Sequence, residues 1–198
     1  MKKSILMISA AAACAVACGF GACSCKNENS GNAEYDKLNG MLGARYSEIN
    51  LTVTSTYDEN TSLKSEYIIT YSDNAITVEY SVERFSSLSI DNSPTGYKYV
   101  LSGEASIENG VVTGGEEVGI TESFANPKFN FNKANFENAA FDSVSFAADV
   151  KNSTAFWGLA VSCTDMKVYA VWINDAFSSI KIDYTQNNAE VVYRYVFS

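Results

Sequence analysis

The chain has 198 residues and a mass of 21.5 kDa, room for one globular domain. With 46% hydrophobic residues and only 2 Pro it is too apolar for a disordered chain and too proline-poor for a fibrous one, while 11 Phe, 12 Tyr and 2 Trp can build a sizeable core. The net charge of −9 argues against nucleic acid as a partner, and the lack of any histidine removes every Ser-His, Cys-His and His-metal mechanism.

Lys2 and Lys3 give a positive start, and Ser4–Ala17 form an uninterrupted run of apolar and small residues, the layout of a secretory leader. The uncharged run continues to Cys25, but it is rich in Ala, Gly and Cys rather than Leu and Ile, which argues against a plain transmembrane anchor. Small residues precede its cysteines: Ala15-Val16-Ala17 before Cys18, and Gly21-Ala22 before Cys23. This resembles the lipobox of bacterial lipoproteins, in which a signal peptidase cuts before a cysteine that carries a diacylglycerol thioether. The resemblance implies lipid attachment at Cys23, after which the sequence turns polar, with Cys18 the alternative and Cys25 third. Phe20 stands where that family prefers Leu.

On this reading residues 1–22 are a signal peptide, 23–32 a lipidated tether and 33–198 a single β-rich extracytoplasmic domain anchored to the cell membrane. Without Lys2 and Lys3, 12 basic residues face 23 acidic ones, a net charge of −11. Anionic headgroups repel such a domain, so it is expected to stand off the surface.

From Ala33 the pattern is helical, with Tyr35, Leu38 and Leu42 on one face and Gly40 and Gly43 keeping the helix short. The period then becomes two. Ile49, Leu51 and Val53 alternate with polar residues, and a polar turn over 58–62 leads to a strand at 66–72. Ile76, Val78, Tyr80 and Val82 alternate with Thr77, Glu79, Ser81 and Glu83 in the clearest half-buried strand. A strand at Tyr97–Ile107 follows, and Asn109-Gly110 before Val111-Val112 signals a hairpin.

Residues 113–140 are less regular. Gly114-Gly115-Glu116-Glu117 reads as a loop, Asn126-Pro127 as a break and Lys133–Ala140 as one short helix, with Phe129, Phe131, Phe136 and Phe141 in no clean period. Strand alternation resumes at Val144, Phe146, Ala148 and Val150, and a turn at 151–153 leads into 155–159. Three strands, Met166–Asn174, Ser178–Thr185 and Ala189–Phe197, complete the pattern through connections short enough to require antiparallel neighbours. The first and last of these are apolar on both faces, which predicts cover on both faces. An echo between 69–75 and 182–189 fits shared hairpin composition.

The pattern predicts a mainly β fold: an antiparallel curved sheet or half-barrel of about eight to nine strands with one or two short helices, or alternatively a β-sandwich. Size, element order and anchoring resemble the lipoprotein-carrier half-barrels, which implies an incomplete barrel that wraps a helix and shelters acyl chains. Tyr193-Arg194-Tyr195-Val196-Phe197 also resembles the last strand of outer-membrane barrels. The polar Thr/Glu/Ser faces of the early strands lack the apolar band that lipid requires, which favours a soluble domain.

No catalytic constellation emerges, so the expectation is a non-enzymatic chain without cofactor or metal. Glu116-Glu117 could hold a cation but reads more simply as a solvated pair. Asp58, Asn60 and Ser62 begin like an EF-hand loop, yet Leu63 and Ile69 stand where Gly and Glu are needed. Cys163 lies on an apolar segment without a basic partner and reads as a small buried hydrophobe, although a bridge to Cys25 would tie tether to domain. Asn60-Thr61-Ser62 and Asn152-Ser153-Thr154 match the glycosylation triplet and read as polar turns.

The expected function is that of a membrane-anchored bacterial lipoprotein with a non-catalytic binding domain for a lipid or other apolar ligand, presented to a concave aromatic sheet. The same aromatics could instead fill a closed core. The alternative function is an envelope protein–protein interaction or structural module that binds through loops or an edge strand.

Overall fold

A computed structural model describes residues 33–44, 46–58, 61–86, 97–158 and 163–198. The leader, the tether and Cys18, Cys23 and Cys25 lie outside the described residues, as does Asn60.

Among the described residues ten strands form one antiparallel sheet: β1 (Glu48–Asp58), β2 (Thr61–Tyr71), β3 (Ala75–Ser86), β4 (Tyr97–Glu108), β5 (Val111–Thr113), β6 (Phe136–Phe141), β7 (Ser145–Val150), β8 (Thr164–Ile173), β9 (Ala176–Gln186) and β10 (Ala189–Phe197). Their order is β5-β4-β3-β2-β1-β10-β9-β8-β7-β6, two five-strand meanders joined where the first strand pairs with the last. The sheet curves without closing and leaves β5 and β6 as its edges, so the curved antiparallel sheet is as expected and the sandwich is not formed. Asn109-Gly110, Asn174-Asp175 and Asn187-Asn188 close tight hairpins with both residues at positive φ, the geometry that matches the twist of the flanking strands.

Strand alternation sorts the side chains. Ile49, Leu51 and Val53 of β1 face the concave side, with Tyr67 and Ile69 of β2 and Tyr193 and Tyr195 of β10 beside them in register. Three short helices among the described residues accompany the sheet: α1 (Ala33–Leu42), α2 (Glu122–Ala125) and α3 (Ser153–Trp157). α1 buries Tyr35 and Leu38 as expected, but its third buried residue is Met41 rather than Leu42, which is half-buried. α3 begins where Asn152 Oδ1 accepts the Ala155 N–H at 2.9 Å and stops at Gly158, whose φ of 74° suits glycine.

The 114–135 crossover joins one edge to the other across the concave face. Along it Glu117 meets Tyr80 of β3, Phe124 packs on Tyr67 of β2 at 4.7 Å, Phe129 on Tyr195 of β10 at 5.3 Å and Phe131 on Phe177 of β9 at 5.7 Å. The crossover is therefore the sheet's inner layer. Phe131, Phe146 and Phe156 are fully buried there, each contributing roughly 1.5–3 kcal/mol relative to exposure.

Two expectations are corrected. Lys133–Ala140 is not a helix: one 3-10 turn at Lys133–Asn135, capped by Asn132 Oδ1 on the Ala134 N–H at 3.0 Å, gives way to β6. Strict alternation would put Phe136 and Phe141 on opposite faces. A bulge between Glu137 and Ala140, with Asn138 at a φ of 50°, brings both to the concave side, where each packs on Phe146. The burial of two aromatic rings outweighs the helix propensity of the segment.

Among the described residues β8 and β10 have cover on one face only. Tyr169 and Val171 remain 38% exposed and Ile173 62% exposed on the outer side of β8, as Val196 does at 38% on β10. Lys181 partly shields Tyr169, its Nζ 5.2 Å from the ring centroid.

Candidate functional site

Most of the concave face is filled by α1, α3 and the crossover, and one end is left open by the described residues. α1 stops at Leu42, and the chain turns through Tyr46 and Ser47 into β1. Tyr46 fixes that turn: its hydroxyl donates to the Met41 carbonyl at 3.0 Å and accepts the Phe177 N–H at 2.9 Å. Its ring lies 4.7 Å from that of Phe197. Ser47 ties the same corner to the last strand, its N–H reaching the Ser198 carbonyl at 2.8 Å, while its own carbonyl accepts the Tyr71 N–H at 2.9 Å.

Tyr71, at the end of β2, donates its hydroxyl to the Ala125 carbonyl at 2.5 Å and so holds the end of α2. Burial pushes this phenol up to about 12. Asn126, Pro127 and Lys128 then run past the corner before Phe129 dives beneath Tyr195.

These elements enclose a cleft of about 780 Å³. Leu42, Ile49, Phe129 and Phe197 give it an apolar floor, Tyr46 and Tyr71 form aromatic walls, and Ser47, Ser72, Asp73, Asn126 and Lys128 supply polar groups. Neither Asp73 nor Lys128 has an ion-pair partner among the described residues. An apolar floor beside one cation and one anion suits a small amphipathic ligand. The two tyrosine hydroxyls are already engaged and act as walls rather than as reactive groups.

A second depression, of about 770 Å³, crosses the outer face of β1–β4 and is lined in part by Glu66, Glu79 and Glu104. Glu79 and Glu104 are direct cross-strand neighbours. Among the described residues no group of three or more His, Cys, Asp or Glu side chains is placed to hold a metal ion.

The residues nominated from sequence lie elsewhere. Glu116 and Glu117 sit in a 3-10 turn (Glu116–Val118), not a plain loop, and Glu117 accepts a hydrogen bond from the Tyr80 hydroxyl. That bond lowers the Glu117 carboxyl and is the main reason Tyr80 is pushed up to about 12. Cys163 is half-buried, has no disulfide partner among the described residues, and burial pushes its thiol up. Asn152 is the cap of α3. None of these enters the cleft. The cleft residues come from four separate segments, and the only sequence signals near them are the Asn126-Pro127 break and aromatics at strand ends.

No protein-family model matches the chain, and no curated protein is significantly similar to it in sequence. Among the described residues no helix is long and apolar enough to cross a membrane.

Proposed function

We propose that this chain is a membrane-anchored bacterial lipoprotein, lipidated at Cys23, whose β domain is a non-catalytic extracytoplasmic module that binds the apolar part of a small ligand. Two things support this reading: the lipobox-like run of residues before Cys23, and the aromatic-floored cleft. The cleft carries the binding part. Because α1 and the crossover occupy the rest of the concave face, the ligand is confined to one ring system or a short acyl segment rather than several full chains.

Native mass spectrometry of a soluble form beginning at Lys26, purified gently and then offered fatty acids and phospholipids, tests the binding. The expected result is a lipid-sized adduct that Asn126→Trp, which fills the cleft, removes. A clean apo mass with no uptake would overturn it. Anchoring is tested separately: labelled palmitate should enter the full chain and be lost in Cys23→Ser.

A second reading is an envelope protein–protein interaction module, favoured by the exposed Tyr169, Val171 and Ile173 on the outer face of β8. It predicts a partner whose capture is abolished by Val171→Lys and unaffected by Asn126→Trp.

A further inference from the structure

We propose that the outer edge of β4 pairs with a second copy of this chain by two-fold antiparallel strand addition. β4 is 12 residues long and matches β3 along its whole length without a register shift. β5 covers only Ser106, Ile107 and Glu108 on the other side. Among the described residues nothing pairs with the outer side of Tyr97–Ala105. The opposite edge is different: β6 has 6 residues and is kinked by its bulge. A long straight edge is a template for another strand, and proteins usually blunt one that is not used.

The backbone fixes which groups the edge offers. Glu108 and Val111 close a two-residue hairpin and so exchange hydrogen bonds, which turns the N–H and C=O of the even-numbered β4 residues outward. Those residues are Lys98, Val100 and Ser102, together with the N–H of Glu104, whose carbonyl already lies against Gly114.

Charge selects the occupant. With the two-fold axis at Leu101, Lys98 of each copy faces Glu104 of the other, and Val100 faces Ser102. Glu104 needs such a partner: it lies directly opposite Glu79, a like-charge cross-strand pair, and has no cation of its own among the described residues. Lys98, 2.8 Å from Glu83 in its own chain, can span both carboxylates because its ammonium carries three donors. Gly114 lies against the Glu104 carbonyl where β5 leaves the edge, so the paired run ends there.

Sedimentation velocity of the full chain in a density-matched detergent tests the pairing through a charge exchange. The wild type should show a monomer–dimer equilibrium. Lys98→Glu and Glu104→Lys should each weaken the dimer by about tenfold or more, since each sets like charges together twice across the axis. An equimolar mixture of the two variants should dimerise again, because only the heterodimer restores both pairs. Glu104→Lys also relieves the repulsion with Glu79, so a thermal melt no lower than the wild type's, both taken at a concentration where each is monomeric, confirms that its monomer is folded. A wild type that stays monomeric at its highest soluble concentration, or a dimer that survives both reversals, overturns the proposal.

Discussion

Asn39 on α1 holds Phe131 of the crossover by both of its backbone groups. Its Nδ2 donates to the Phe131 carbonyl at 2.8 Å, and its Oδ1 accepts the Phe131 N–H at 3.0 Å. The carboxamide thus pairs with the crossover as a peptide unit of a neighbouring strand would. It fixes the fully buried Phe131 ring against Phe146 and Phe156, at 5.7 and 5.5 Å. Asn39→Ala removes both hydrogen bonds at a solvent-accessible position and should cost about 1–3 kcal/mol in urea unfolding. Asn39→Asp keeps the acceptor but sets a carboxylate against the carbonyl, so it should not rescue. An alanine variant as stable as the parent would mean that the crossover is held by packing alone.

Tyr80 and Gly103 are cross-strand partners on β3 and β4, and the tyrosine side chain lies over the glycine. A Cβ at Gly103 would collide with the Tyr80 hydroxyl and ring. The glycine is thus what lets the ring reach across β4 to Glu117. Gly103→Val should displace the ring and destabilise the chain by about 1–3 kcal/mol. Tyr80→Phe keeps the ring and loses only the hydroxyl, so its thermal melt should fall less than that of Gly103→Val. The reverse order would place the hydrogen bond, not the ring's seat over Gly103, as the element that matters.

What could be read from the sequence follows from how local each cause is. Ile76 to Val82 alternates cleanly because β3 has one polar and one packed face, and Asn109-Gly110 specifies its hairpin by φ alone. The two-faced apolar pattern of β8 misleads because Tyr169, Val171 and Ile173 look like core residues, whereas their exposure is settled by the absence of a second layer among the described residues. β6 was hidden for the opposite reason: its bulge at Asn138 breaks the period that would mark a strand. The cleft was out of reach altogether. Ile49, Tyr71, Phe129 and Phe197 meet only because β1 pairs with β10 and the crossover returns beneath them, both long-range events.

Trp157 closes α3 with its indole N–H buried and without a hydrogen-bond partner among the described residues; it approaches the Tyr195 hydroxyl without reaching hydrogen-bonding geometry. Its ring packs edge-on to Tyr193 at 4.7 Å. Removing an unpaired buried donor offsets part of the packing lost with the smaller ring. Trp157→Phe should therefore change stability by less than about 1.5 kcal/mol, whereas Trp157→Ala should cost about 3–5 kcal/mol. Chemical denaturation of the two variants side by side decides it. A phenylalanine variant that is destabilised as much as the alanine one would mean that the N–H has a partner in solution, such as a bound water.

Four tyrosines on the inner face of the sheet, Tyr71, Tyr184, Tyr193 and Tyr195, all resist ionisation. Burial is the leading cause at each; it pushes Tyr71 and Tyr193 up to about 12 and raises Tyr184 and Tyr195 well above the ordinary phenol value. The unfolded chain ionises its tyrosines near 10. Above that pH the native state binds more protons than the unfolded one, so stability falls as pH rises, and it falls steeply because several groups act together. Below about 10 the same phenols are neutral in both states and stability does not depend on them. Phenolate absorbance followed against pH should therefore show a single cooperative rise that coincides with loss of β-sheet circular dichroism. Tyr195→Phe should shift that rise to higher pH, because it removes one of the protons that unfolding releases. A smooth titration of every tyrosine near 10 with the sheet intact would mean that the inner face is open to water and that the crossover does not seal it.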